Sequence, residues 1–245
     1  PVYAANRLDI GQSLVTALHD RQQTLIDNVL PQYRADSAGI GRTSGSDLMA
    51  HTGVPGVVEN DWGDGEDVAA EAGLLTWALY NAWEQYRFSM DQAVLRDTVY
   101  PLLRRSVNYY RHFLISGSDG KYHLPLTFSP EYGTAPDANF DLSLLRWGCE
   151  TLLAANRRLG LNDPLAPAWQ DILEKLTDYP RDGDGFMIGA GTPYAKSNRH
   201  YSHLLMIYPL YLVNRDQPGG AEIIKTSLDF WQSKPEALQG YSDTG

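Results

Sequence analysis

Leu74-Leu75-Thr76-Trp77-Ala78-Leu79-Tyr80-Asn81-Ala82-Trp83-Glu84-Gln85-Tyr86-Arg87-Phe88 decides the fold class of this chain. Leu75, Leu79, Ala82, Trp83 and Tyr86 recur every three or four residues, the period of one face of an α-helix. Extended backwards through Ala72, the pattern predicts a helix from about Val68. Upstream, Leu14, Leu18, Leu25 and Val29 predict a helix over 11–30, closed by Pro31. Downstream, a helix is expected from about Asp91 to Leu114. Pro101 falls inside it and must either kink it or open a new first turn. A helix over 140–159 stops at Gly160, another runs from Pro164 or Pro167 to about Leu176, and two more cover 201–213 and 220–231, the former interrupted by Pro209. Strand signals are confined to 121–126 and 185–188, each after a Gly/Asp turn. The recurring unit is therefore helix, tight turn, helix, longer loop. It defines an all-α class, and a bundle, a solenoid or a closed toroid would each accommodate it.

Composition narrows the function. The 245 residues are 43% hydrophobic and 20% charged, ordinary for one or two folded domains. A net charge of −10 argues against a nucleic-acid surface and against attraction to anionic lipid. Fifteen Tyr and six Trp suit stacking on sugar faces as readily as core filling. The single Cys149 lies in a helical pattern and reads as a buried thiol. No apolar run approaches a membrane span of roughly 18–20 residues. The chain opens on Pro1-Val2-Tyr3 and closes on Ser242-Asp243-Thr244-Gly245, so a piece of a longer chain is expected, and no localisation is fixed.

The loops carry the chemistry. Glu131 follows Leu124-Pro125-Leu126-Thr127-Phe128-Ser129-Pro130, between two long helical patterns. Pro130 stiffens the approach, and Phe128 and Tyr132 flank the acid and can desolvate it, which raises a carboxyl pKa. A carboxylic acid that stays protonated near neutral pH is what a glycosidase needs to protonate a leaving oxygen; a solvated glutamate beside a turn would look the same in sequence. A loop from about Asp36 to Asp67 is long for a compact domain. Its end, Glu59-Asn60-Asp61-Trp62-Gly63-Asp64-Gly65-Glu66-Asp67, is acidic enough for a hard cation but lacks EF-hand spacing, and helix capping by Asp67 explains it more simply. Arg181-Asp182-Gly183-Asp184-Gly185 reads as a turn before a strand. Asn198-Arg199-His200-Tyr201-Ser202-His203 places His200 and His203 at i and i+3 without a zinc signature. It reads equally as a capped helix start or as an Arg–His pair that hydrogen-bonds a polyhydroxylated ligand. Neither a nucleophile elbow nor a dinucleotide fingerprint is present, and no cofactor or metal is expected.

Three segments, in this order, resemble the catalytic domain of glycoside hydrolase family 95, the α-L-fucosidase and α-L-galactosidase family. They are the Trp77-to-Phe88 helix with its second tryptophan Trp83 and Glu84-Gln85-Tyr86-Arg87-Phe88, then Ser129-Pro130-Glu131-Tyr132-Gly133, then Asn198-Arg199-His200-Tyr201-Ser202-His203-Leu204. The resemblance implies an (α/α)6 toroid, of which about seven helices are counted here against twelve, with residues 1–245 as one catalytic-type helical domain, a fragment of the larger toroid. It implies inverting hydrolysis with Glu131 as general acid, Arg199 and His200 on substrate hydroxyls, Trp77 packing against the sugar, and Tyr132 and His203 as further substrate-binding residues. The base Asp would fall in an Asp-Thr-Gly-like turn, for which Asp243 is the local candidate; its asparagine partners would lie before Pro1. The partners implied are a glycan substrate and the rest of the parent chain, with an extracellular or periplasmic parent enzyme. Tyr132 and Asn198 stand where the family has Asn and His, which opens the sugar specificity. The rival readings are a non-catalytic carbohydrate-binding toroid or an inactive enzyme fragment without its base segment, a helical scaffold without a pocket, and another toroid enzyme such as a glycoside phosphorylase or polysaccharide lyase.

Overall fold

The computed structural model describes residues 7–40, 58–60, 67–69, 71–130, 132–198 and 200–235. They are mostly helical, and their only sheets are two-stranded hairpins set in loops, so the chain is all-α in class. It divides into two compact units. The first draws on Pro1–Thr52, Ala72–His112 and Gly148–Glu174, the second on Gly53–Glu71, Phe113–Trp147 and Lys175–Gly245.

In the first unit, α1 (Leu8–Asp20) and α2 (Gln22–Asp27) replace the single helix expected over 11–30, with the break at Arg21. The anticipated apolar face is nevertheless the buried one: Leu18, Leu25 and Val29 are in the core. α3 (Leu74–Ser89) starts later than predicted and buries Leu75, Leu79, Ala82 and Tyr86. Its early boundary fails because Val68 belongs to a strand. A π-helical stretch, Val94–Val99, then runs directly into α4 (Tyr100–Arg111). The Tyr100 amide donates to the Leu95 carbonyl, five residues back. That wider turn lets Pro101, which has no N–H and would crowd an α-helical carbonyl, enter the first turn of α4. Thr76 and Ser106 join α3 to α4 through a buried 2.6 Å hydroxyl contact. On the far side of α4, Arg105 donates to the carbonyls of Arg34 and Ser37 and Asn108 to that of Asp36, fastening the segment after α2. Arg104 and Tyr100 both bond Asp163 Oδ2, at 2.7 and 2.9 Å, ahead of α6 (Ala166–Lys175).

α5 (Asn139–Leu159) serves both units, the division falling between Trp147 and Gly148. Leu142, Ser143, Leu144, Leu145, Trp147 and Cys149 are all buried, as befits a helix enclosed on nearly every side. The helix ends at Gly160, whose φ of +64° is the left-handed stop the sequence suggested.

Among the described residues the second unit holds four antiparallel hairpins: β1 (Val58–Asn60) with β2 (Asp67–Ala69), β3 (Ile115–Ser116) with β4 (Tyr122–His123), β5 (Thr127–Ser129) with β6 (Gly133–Ala135), and β7 (Arg181–Asp182) with β8 (Gly185–Phe186). The last matches the turn read at 181–185. β1 and β2 fall within or beside the long loop, and of its acidic run over 59–67 only the backbone of Glu59, Asn60 and Asp67 is described; Asp67 lies in β2, and Gly73 rather than Asp67 is the N-cap of α3. The helix expected over 201–213 does not form. Only one 3-10 turn, Ser202–Leu204, is regular there. Pro209 offers no amide to continue a helix, its bond to Tyr208 is cis, and Tyr211 sits at φ +55°. α7 (Gly220–Gln232) closes the unit over a core of Phe186, Ile188, Tyr194, Leu204, Met206 and Trp231.

Candidate active site

The segment around residue 131 is a hairpin, not a plain connection. Thr127, Phe128 and Ser129 are all buried, pair with Ala135, Thr134 and Gly133, and leave no outward strand face. The chain reverses beyond Ser129, whose carbonyl accepts the Tyr132 amide at 2.8 Å. Glu131 lies between them in sequence but outside the described residues, as do Arg199 and Asp243. The residues on either side of Glu131 and of Arg199 are described.

These neighbours join two of the motifs. Ser129 Oγ lies 2.7 Å from Ser202 Oγ in a buried contact, linking the strand before Glu131 to the turn after His200. Tyr132, on the other flank, places its hydroxyl oxygen where the amides of Ala195 and Lys196 donate to it at 2.7 and 3.0 Å. The same hydroxyl donates to the Pro193 carbonyl at 3.3 Å. Its ring is 5.3 Å from that of Tyr194, with Lys196 Nζ 5.1 Å from the ring centre. Tyr194 in turn stacks on His203, centroids 4.4 Å apart and planes within 13°. The Asn198 amide donates to the Tyr194 hydroxyl at 3.0 Å, and Asn198 Oδ1 accepts the His200 amide at 3.3 Å. An uninterrupted chain of contacts thus runs from Tyr132 through Tyr194 to the His segment.

His203 is 2% exposed, and burial lowers its pKa to about 3. It is a neutral imidazole, and its Nδ1 has no hydrogen-bond partner among the described residues. His200 is half-buried at the start of the same turn. Trp77 is half-buried on α3 in the first unit, its ring 6.5 Å from Tyr80 and nearly parallel to it. Of the residues singled out from sequence, the structure brings Tyr132 and His203 together through Tyr194 and places His200 three residues before His203. Tyr194 was missed because Thr192-Pro193-Tyr194 carries no recognisable motif. Ser129 and Ser202 were quoted within motifs, but nothing local tells that two serines so far apart in sequence will touch. Among the described residues no cluster of three His, Cys, Asp or Glu side chains is placed to hold a metal ion. No described helix is long and apolar enough to cross a membrane.

Residues 13–242 match the Glycosyl hydrolase family 95 catalytic domain. The chain belongs to glycoside hydrolase family 95. The chain is also similar to Alpha-L-fucosidase 2 of Arabidopsis thaliana, 26% identical over 183 residues, which is 69% of this chain and 21% of that protein. It therefore spans about a fifth of the length of that relative. The all-α class agrees with the expectation drawn from the three segments of the family resemblance, whose second and third are in direct contact through Ser129 and Ser202.

Proposed function

We propose that this chain forms part of the catalytic domain of an inverting glycosidase that cleaves terminal α-L-fucosyl or related α-L-glycosidic bonds. The buried Ser129–Ser202 hydrogen bond is the observation that carries the reading. It ties the Ser-Pro-Glu segment to the Arg-His segment, as a donor acid and a sugar-holding pair acting on one bond require. Family membership supports the glycoside chemistry, and the fucosidase relative suggests the sugar class.

In this reading Glu131 protonates the glycosidic oxygen while a water, held by an Asp, attacks the opposite face. An inverting pair of carboxyls stands about 6.5–9.5 Å apart to admit that water. Asp243 is the candidate base within this chain. Arg199 and His200 hold ring hydroxyls, Trp77 packs against the sugar, and Tyr132 lines the pocket beside the acid. His203, a further substrate-binding candidate in this reading, is a neutral, buried ring stacked on Tyr194. Residues 1–245 contribute to a single helical catalytic domain, an (α/α)6 toroid completed by the rest of the parent chain.

The test is to follow the anomeric proton of the released sugar by NMR, using the full-length protein and an α-L-fucosyl oligosaccharide without added phosphate. The reading predicts free sugar appearing first as the β-anomer. A phosphorylated sugar, an unsaturated product, a first-formed α-anomer, or binding without release would each reject it.

A further inference from the structure

Leu124 and Asp137 bracket the β5–β6 hairpin and close its base. The Leu124 amide donates to Asp137 Oδ1 at 2.7 Å, and the Asp137 amide donates to the Leu124 carbonyl at 3.1 Å. Asp137 Oδ2 lies 2.7 Å from His123 Nδ1, and His123 Nε2 lies 3.3 Å from both carboxylate oxygens of Asp119. One imidazole is thus gripped between two carboxylates, one at the hairpin base and one in the β3–β4 turn. Asp137 is buried and holds φ +47°, a left-handed conformation that Asp tolerates better than most side chains. Its three hydrogen bonds to Leu124 and His123 offset that cost. At Gly117 an added Cβ would stand 2.7 Å from His123 Cδ2, so the turn closes on the ring only because that position is glycine. Lys121, also on this turn, is committed to Asp178 at 2.6 Å. Among the described residues the charged groups facing the ring are therefore Asp137 and Asp119.

We infer that His123 and Asp137 are positioning residues, an Asp–His–Asp clamp that fixes the hairpin so that it presents residue 131 to the glycosidic oxygen. This rests on the role proposed for Glu131. Six residues lie between Leu124 and Glu131 and five between Glu131 and Asp137, so the clamp holds both ends of the excursion whose middle carries the acid. The hydrogen bond to Asp137, then that to Asp119, holds the imidazole pKa above its ordinary value, against the opposing effect of partial burial. A group whose folded pKa is raised stabilises fully below its unfolded value, about 6.5, and loses that contribution as pH climbs through the raised value. The grip is therefore tightest where a general acid must keep its proton.

The experiment compares kcat and KM of the full-length protein and its variants on an alkyl α-L-fucoside and on α-L-fucosyl fluoride, whose leaving group needs no proton. His123→Gln is expected to lower kcat on the alkyl glycoside about tenfold with KM nearly unchanged, since displacement of a catalytic group by an ångström costs up to about a hundredfold. The fluoride should react at close to the wild-type rate. Asp119→Asn, at an exposed position, should show the same selective loss in weaker form, growing above pH 7. Equal losses on both substrates, or no loss on the alkyl glycoside, would overturn the clamp's role. Should Glu131→Gln itself leave the alkyl-glycoside rate intact, the assignment of Glu131 fails instead, a result distinct from failure of the clamp.

Discussion

Two serines carry the link between the acid-bearing hairpin and the histidine segment. Removing one hydroxyl strands the other in a buried place, at a cost of about 1–3 kcal/mol, whereas removing both is much less damaging. Ser129→Ala and Ser202→Ala are therefore each expected to lower stability by that amount, with the double variant closer to wild type than the sum. Denaturant titrations of all four proteins measure this, and strict additivity would show that the serines do not interact. His203 gives a pH signature at the same scale. Its folded pKa, about 3, lies below the unfolded value near 6.5, so the folded state binds fewer protons between them. Its stabilising contribution is complete above about pH 6.5 and is lost as pH falls towards 3, by up to about 1.4 kcal/mol per pH unit. His203→Phe should flatten the acid limb of the stability profile across that window; an unaltered limb would mean that the imidazole is not buried neutral.

Helix periodicity was legible where apolar residues recur towards the core, which is why α5, α6 and α7 fall close to their expected positions, whereas α3 begins at Leu74 because Asp67–Ala69 is a strand. It misled at 201–213, where apolar density is high but Pro209 and the left-handed Tyr211 leave only isolated turns. The β5–β6 hairpin was invisible for the opposite reason: Thr127, Phe128 and Ser129 are all buried, so no alternation marks the strand. The clamp at its base was equally hidden, because His123 and Asp137 meet only through the return of the chain. Packing between elements gives a prediction of its own. Gly148 lets α5 approach α4, and a Cβ there would come within 2.7 Å of Val107 Cγ2. Gly148→Ala should destabilise by about 1–3 kcal/mol despite the better helix propensity of Ala, and Val107→Ala should recover part of that loss. Thermal unfolding of the single and double variants measures it, and a stabilised single variant would refute the close approach.

The molecule as a whole is acidic, and its function reads from a few loops hung on a helical frame. The order of three segments along the sequence pointed to the family before any geometry was available, and a match over residues 13–242 bears this out. What sequence could not supply was the contact network that joins two of those segments, since Tyr194 and the serine pair depend on tertiary packing. The central claim is that Glu131 delivers the proton on which cleavage of an oxygen-linked sugar depends. It is tested most directly by kcat of the full-length Glu131→Gln variant on an unactivated α-L-fucoside, beside binding of the same substrate. The account predicts a fall of at least about a hundredfold, in line with the usual worth of general acid catalysis, with binding retained. A rate within a few-fold of wild type would contradict it.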